Sequence, residues 1–175
     1  MLRCAVAVLC LLPVCAPVFA GQGANDARLD QVERLGSKVM PFDLEKTTHV
    51  FSKTPKGGVQ QVVAKHPQDS EQIRLIREHL SQIAEEFSRR NFSGPESIHG
   101  KNMPGLAELR AAQAGELDVI YAELVDGARI DYTSDKPEII RAIHDWFDAQ
   151  LGDHARHAVA GHEQHHMQGH HHFDR

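Results

Sequence analysis

No cysteine follows Cys15 in this chain of 175 residues. The three present, Cys4, Cys10 and Cys15, all sit in the apolar opening "MLRCAVAVLCLLPVCAPVFA". Everything after them is therefore without disulfides, thiolate nucleophiles or thiolate metal sites, and has to be held together by its core alone. Basic blocks and basic-aromatic interleaving are missing as well, which argues against nucleic acid as a partner. So are G-x-S-x-G, H-E-x-x-H, a phosphate-cradling P-loop and a G-x-G-x-x-G after a strand, and the chain accordingly reads as non-enzymatic. "HEQHH" at 162–166 has a glutamate beside a histidine but not the spacing of a zincin helix.

The opening itself has one basic residue, Arg3, an apolar run, and Val18-Phe19-Ala20 before Gly21. Small residues three before and one before a cut suit signal peptidase, so residues 1–20 read as a signal peptide and the protein as periplasmic or secreted. The run is too short to span a bilayer as a mature helix, and no membrane anchor is expected after cleavage. Loss of Arg3 leaves 19 − 1 = 18 Lys and Arg against 24 Asp and Glu, a mildly acidic balance. What remains is enough for one domain with one core, not for two.

Residues 21–38 read as an N-terminal segment, partly mobile, with a short helical possibility in "DARLDQVERLG". From residue 39 the pattern becomes regular. "THVFSK" (48–53) and "GVQQVVAK" (58–65) are β-branched runs joined by "TPKGG", a β-hairpin signal. In "DSEQIRLIREHLSQIAEEFSRR", Ile73, Ile76, Leu80, Ile83, Ala84 and Phe87 recur at helical spacing behind the start residues Asp69 and Ser70. "NFSGPESIHGKNMPG" reads as a loop and "GLAELRAAQ" as a short helix. "ELDVIYAELVDGARIDYTS" is a second hairpin around Asp126-Gly127. "DKPEIIRAIHDWFDAQLGDH" is a second long helix, with Pro137 in its first turn and Ile140, Ile143, Trp146, Phe147 and Leu151 on one side.

Setting Ile73–Leu80 against Ile140–Phe147 matches apolar positions and puts Arg74 on Arg141. The expectation is an α+β domain over 39–152 built from a duplicated ββα unit, with a four-stranded antiparallel sheet and two long helices on one face. Residues 153–175 read as a mobile, histidine-rich tail.

Eight of the 13 histidines fall between 152 and 175. His154, His157, His162, His165, His166, His170, His171 and His172, with Met167 among them, offer neutral imidazole and thioether, donors for copper or zinc. The run is interrupted and ends in Phe173-Asp174-Arg175, unlike a purification handle. A solvated tail with incidental affinity is the plain alternative. His99 and Met103, four apart in a Gly- and Pro-bearing loop, form a second, copper-like pair, although Met103 would serve equally as a core plug. His49, His79 and His144 lie within regular elements, where a lone histidine on a stripe edge is more often hydrogen-bonded than metal-bound.

The stretches "VMPFDLEKTTHVFSKTPKGGVQQVVAKHP", "FSGPESIHGKNMPGL" and "DGARIDYTSDKPEIIRAIHDWFDAQLGDHARHA" resemble a family of small exported bacterial proteins of unassigned function, sometimes labelled aspartate carbamoyltransferase. The resemblance spans about 39–158 and implies no activity. The label itself fails on these residues: the Ser-Thr-Arg-Thr-Arg segment and His-Pro-x-Gln loop of a carbamoyltransferase are missing, and "KHPQD" at 65–69 has Gln directly after Pro. Two functions therefore remain open. One is exported transition-metal binding, for copper or zinc sequestration or delivery. The other is an interaction or small-ligand-binding module, with a protein partner or small molecule on the sheet and an incidental tail.

Overall fold

The computed structural model describes residues 22–161. Residues 1–20, read above as a signal peptide, and the tail histidines His162, His165, His166, His170, His171 and His172 lie outside the described residues. In chain order the elements are α1 (Gln22–Val39), a 3₁₀ turn (Leu44–Lys46), β1 (Thr47–Thr54), β2 (Gly57–Ala64), α2 (Ser70–Ser88), α3 (Ser93–His99), α4 (Leu106–Ala111), β3 (Asp118–Leu124), β4 (Gly127–Thr133), α5 (Pro137–Asp153) and β5 (Ala158–Ala160). The fold is mixed α+β around one five-stranded sheet of order β3-β4-β2-β1-β5.

Alternation in the strands decides which face is buried. His49 lies opposite Val62, Phe51 opposite Gln60, Gln60 opposite Ile130, and Val62 opposite Ala128, so the buried residues of β1, β2 and β4 share one face. The other face carries Val50, Gln61, Arg129, Asp131 and Ile120, half-buried or exposed. Both long helices cover the apolar face. Phe87 of α2 meets Tyr132 of β4 at 6.4 Å between ring centroids, and Phe147 of α5 meets Phe51 at 5.1 Å and Tyr132 at 5.8 Å.

The helix starts follow from local chemistry. The Asp69 carboxylate accepts from the Gln72 backbone N–H at 3.2 Å, and Pro137 occupies the first turn of α5, where no partner for its missing N–H is needed. Each helix lies mainly on strands of the other half of the chain: α2 on β3 and β4 with a smaller contact to β2, and α5 on β2 and β1 with Trp146 and Phe147 reaching Tyr132 of β4. Each also clamps the distant hairpin. Arg77 of α2 donates to the carbonyls of Leu124 and Gly127 at 2.5 and 3.2 Å. His144 of α5 donates from Nε2 to the carbonyls of Thr54 and Gly57 at 3.0 and 2.9 Å.

Several expectations need correction. The sheet has five strands, not four, because the chain does not leave the fold at residue 153. The His157 carbonyl accepts from the His49 N–H at 2.8 Å and draws Ala158–Ala160 alongside β1, parallel to it. α1 is an 18-residue helix rather than a short stretch, anchored by the fully buried Val32. Residues 93–99, read as loop, form α3. The second turn is Val125-Asp126, with Leu124 paired to Gly127, so Gly127 opens β4 instead of making the turn. On α5 the buried stripe runs through Ile139, Ala142, Ile143, Trp146, Phe147 and Gln150, with Ile140 and Leu151 at its edge.

A Cβ on Gly127 would stand 2.0 Å from the Val62 carbonyl oxygen, because β2 and β4 pair there without room for a side chain. Gly127→Ala should lower the unfolding free energy by at least about 2 kcal/mol in urea titration. Gly152→Ala, on a helical glycine whose Cβ would meet nothing within 4 Å, should leave it unchanged or raise it by up to about 1 kcal/mol.

Candidate functional site

Trp146, Gln150 and His154 recur at i, i+4 and i+8, a spacing that sets them on one stripe of α5 and its cap, spread over about 12 Å of helix axis. The stripe forms one wall of a cavity of about 60 Å³ under the sheet. His49 of β1, His79 of α2 and His99 at the end of α3 line the same cavity, together with Phe42, Phe51, Phe87 and Val62. Four histidines from four parts of the chain thus meet around one space. Among the described residues, no Asp, Glu, Lys or Arg is in its lining.

At one end a chain of polar contacts runs inward from the surface. Arg28 of α1 donates to both oxygens of Asp153, from Nη2 at 2.5 Å and Nε at 3.2 Å, and its Nη2 also reaches the His99 carbonyl at 3.1 Å. Asp153 in turn accepts from Nδ1 of His99 at 2.6 Å. A carboxylate on Nδ1 fixes the proton there and leaves the Nε2 lone pair of His99 facing inward. That Nε2 lies 3.2 Å from Nε2 of His154. The two rings cross edge to face at 4.9 Å, while His49 stacks on His154 at 5.6 Å with only 8° between planes.

Burial sets the charge of these rings. Desolvation, reinforced by His79 and His157 and opposed by a backbone bond at His157, lowers the pKa of His49 to about 4. Desolvation, then His49 and His99, lower His154 to about 3 despite Asp153. For His99, burial outweighs the hydrogen bond and charge of Asp153, and its pKa also falls. The pKa of His79 is lowered by burial. Burial alone would raise Asp153, but the hydrogen bonds from Arg28 and His99 prevail and hold its carboxyl below the usual range. Lowered pKa values keep these imidazoles neutral at physiological pH, and the carboxylate hydrogen-bonded to them, Asp153, is ionised and already engaged.

The histidines singled out by sequence divide clearly. His49, His79, His99 and His154 line the cavity. His144 spends Nε2 on two turn carbonyls and stands apart as a clamp. Met103 is a buried core side chain that lines a surface cleft together with His99, while Nε2 of His99 faces His154. His154 and His157, expected in a solvated tail, are both buried. His157 groups with Glu33 and Glu45, whose ligand atoms lie within 4.8 Å of one another. Glu45 there is largely exposed, and Arg156 already bridges Asp30 and Glu33 at 2.7 and 3.0 Å.

No sequence motif marks Asp153, Arg28 or Gln150 as site residues, and Trp146 reads in the sequence only as part of an apolar helix face. The W-x-x-x-Q-x-x-x-H spacing was a usable signal, since a glutamine and a histidine on an otherwise apolar stripe need polar company. Arg28 is 125 residues from Asp153 and carries no local sign of it. Comparisons with protein-family models, with curated proteins and with solved structures each return no match.

The buried histidines make stability depend on pH. The folded pKa values of His49, His79, His99 and His154 lie below the unfolded value of about 6.5, so between the two the unfolded chain binds more protons and stability rises with pH. The stabilisation is complete above about pH 6.5 and is lost as pH falls toward 4 and 3, by about 2 kcal/mol for each of His49 and His154 at pH 5. Thermal melts should give a steady Tm from pH 8 to 7 and a steep fall below 6. The fall should be shallower in His49→Gln.

Proposed function

We propose that this protein binds a transition-metal ion at the buried pair His99 and His154. The observation that carries the reading is the 3.2 Å between their Nε2 atoms, with Asp153 on the far nitrogen of His99. Two imidazole nitrogens about 2.0–2.1 Å from one tetrahedral ion stand about 3.3–3.4 Å apart. A carboxylate behind a ligating imidazole is the usual device for orienting it and raising its basicity. A neutral N–H···N bond from His154 to the same lone pair gives the same distance; in this reading the ion takes the place of that proton, and Asp153, itself held by Arg28, keeps the lone pair of His99 turned inward in either case.

Two nitrogens do not close a coordination sphere, and a third comes from His79 or from Nε2 of His49 by rotation of a ring that already lines the cavity. Imidazole donors suit copper and zinc alike. The lining favours monovalent copper, because among the described residues no carboxylate faces the cavity to balance a second positive charge. The His-rich segment from residue 162 supplies further, weaker sites in this reading.

The same reading takes the scaffold as a duplicated ββα unit. Buried Ile76, Leu80 and Phe87 of the first helix correspond to buried Ile143, Phe147 and His154 at a constant offset of 67, and the clamps Arg77 and His144 share that offset. A four-stranded antiparallel sheet forms the common part, with β5 as the addition.

The test is ion binding by the full chain with His162, His165, His166, His170, His171 and His172 replaced by Asn. One equivalent of Cu(I) should remain, quenching Trp146 fluorescence. His99→Asn or His154→Asn should abolish it, and Asp153→Asn should weaken it about 10–100-fold. A tail-substituted chain that binds neither Cu(I) nor Zn(II), or affinity unchanged by His99→Asn, would overturn the proposal.

A further inference from the structure

We infer that the Trp146 end of the cavity is a binding site for a small uncharged molecule whose head carries a hydrogen-bond acceptor beside a donor, as a primary amide does. Three side chains argue for it. Nε1 of Trp146, Oε1 of Gln150 and Nδ1 of His49 are buried without a hydrogen-bond partner, in residues 1%, 6% and 4% exposed. All three residues line the same cavity. Buried polar atoms in folded proteins are nearly always paired, and three orphans from facing elements, α5 and β1, on one small space point to a common occupant.

The chemistry of the occupant follows from the atoms. Indole nitrogen only donates and the glutamine oxygen only accepts, so the head must offer an acceptor to Trp146 and a donor to Gln150; the imidazole nitrogen takes either role. It must be uncharged, because among the described residues no Asp, Glu, Lys or Arg lines the cavity, and a charged organic head, unlike a metal ion taken up by imidazole lone pairs, would gain no ligand bonds in place of its water. Size is bounded too. A volume of about 60 Å³ exceeds the roughly 10–15 Å³ one water requires and falls short of the roughly 150 Å³ that admits benzene. A head of about four heavy atoms fits those limits. Phe51 and Phe87 supply apolar walls for its faces, and Val39, 37% exposed, marks the rim past which a longer body can extend.

This inference does not depend on an ion at His99 and His154, since its contacts use other atoms. Trp146 is the single tryptophan of the chain, so its indole N–H gives one resonance in a ¹⁵N-labelled sample. Acetamide titrated into the full chain, with EDTA present, should move that resonance saturably downfield. Acetone has the same number of heavy atoms and the acceptor but no donor, and should bind at least 10-fold more weakly. Gln150→Leu should erase the difference between the two probes. His99→Asn should leave acetamide binding in place even where it destroys metal binding, which separates this site from the metal reading. No saturable shift, equal affinity for acetamide and acetone in the unsubstituted chain, or acetamide binding only after metal is added would overturn the inference. The comparison of the two probes in the unsubstituted chain stands even if Gln150→Leu does not fold.

Discussion

The antiparallel pairing of β2 with β4 is the constraint from which the rest of the molecule follows. It joins two hairpins into one sheet, with Gly57 opposite Thr133 and Val63 opposite Gly127. Once the hairpins share a sheet, their buried faces coincide and both long helices have to lie on the same side. The space between those helices, closed at one end by α3, becomes the cavity. Gly127 sits at the tightest point, where the backbone of Val62 leaves no room for a Cβ. The inward aim of Trp146, Gln150 and His154 is thus a result of sheet assembly and not of local helix propensity.

The polar chemistry of the cavity rests on two opposing effects. Burial strips water from four imidazoles and drives them neutral, which on its own makes an unfavourable interior. The Arg28–Asp153–His99 chain works against this by bringing one carboxylate, with its own counter-ion, to the outer edge of the cluster. The charge stops there. Among the described residues the lining beyond His99 holds only neutral donors and acceptors set in apolar walls, an environment that discriminates against charged organic ligands; in the proposed reading its imidazole lone pairs are what a soft cation would use.

The elements legible in the sequence were those whose signal is local. The period of Ile73, Ile76, Leu80 and Phe87 and the β-branched runs around "TPKGG" and "VDG" announced α2 and the two hairpins. On α5 the period places Ile143, Trp146 and Phe147 on the buried stripe but misses its ends, because Ile139 and Ile140 satisfy a helical period equally well and an apolar Leu151 outranks the buried Gln150 until packing chooses between them. β5 was not legible: three residues of Ala-Val-Ala amid histidines carry no alternation, and the strand exists because His49 has a backbone N–H to satisfy. Composition misled at His154 and His157. A run dense in histidine reads as solvated, yet its first two members belong to the end of α5 and the turn after it. His99 was picked out for its loop-like setting, while the partner that gives it chemistry, His154, had been assigned to the tail.

The crossed clamps of Arg77 and His144 carry a consequence for the order in which the chain can become native. α2 finishes at Ser88, yet the strands it covers are encoded at 118–133, and the β1–β2 hairpin waits for α5 to supply both its cover and the imidazole that closes its turn. Neither half owns a complete apolar interface. A nascent chain that has emerged only as far as α4 therefore has no stable place to stop, and folding becomes a single late event triggered by the last helix.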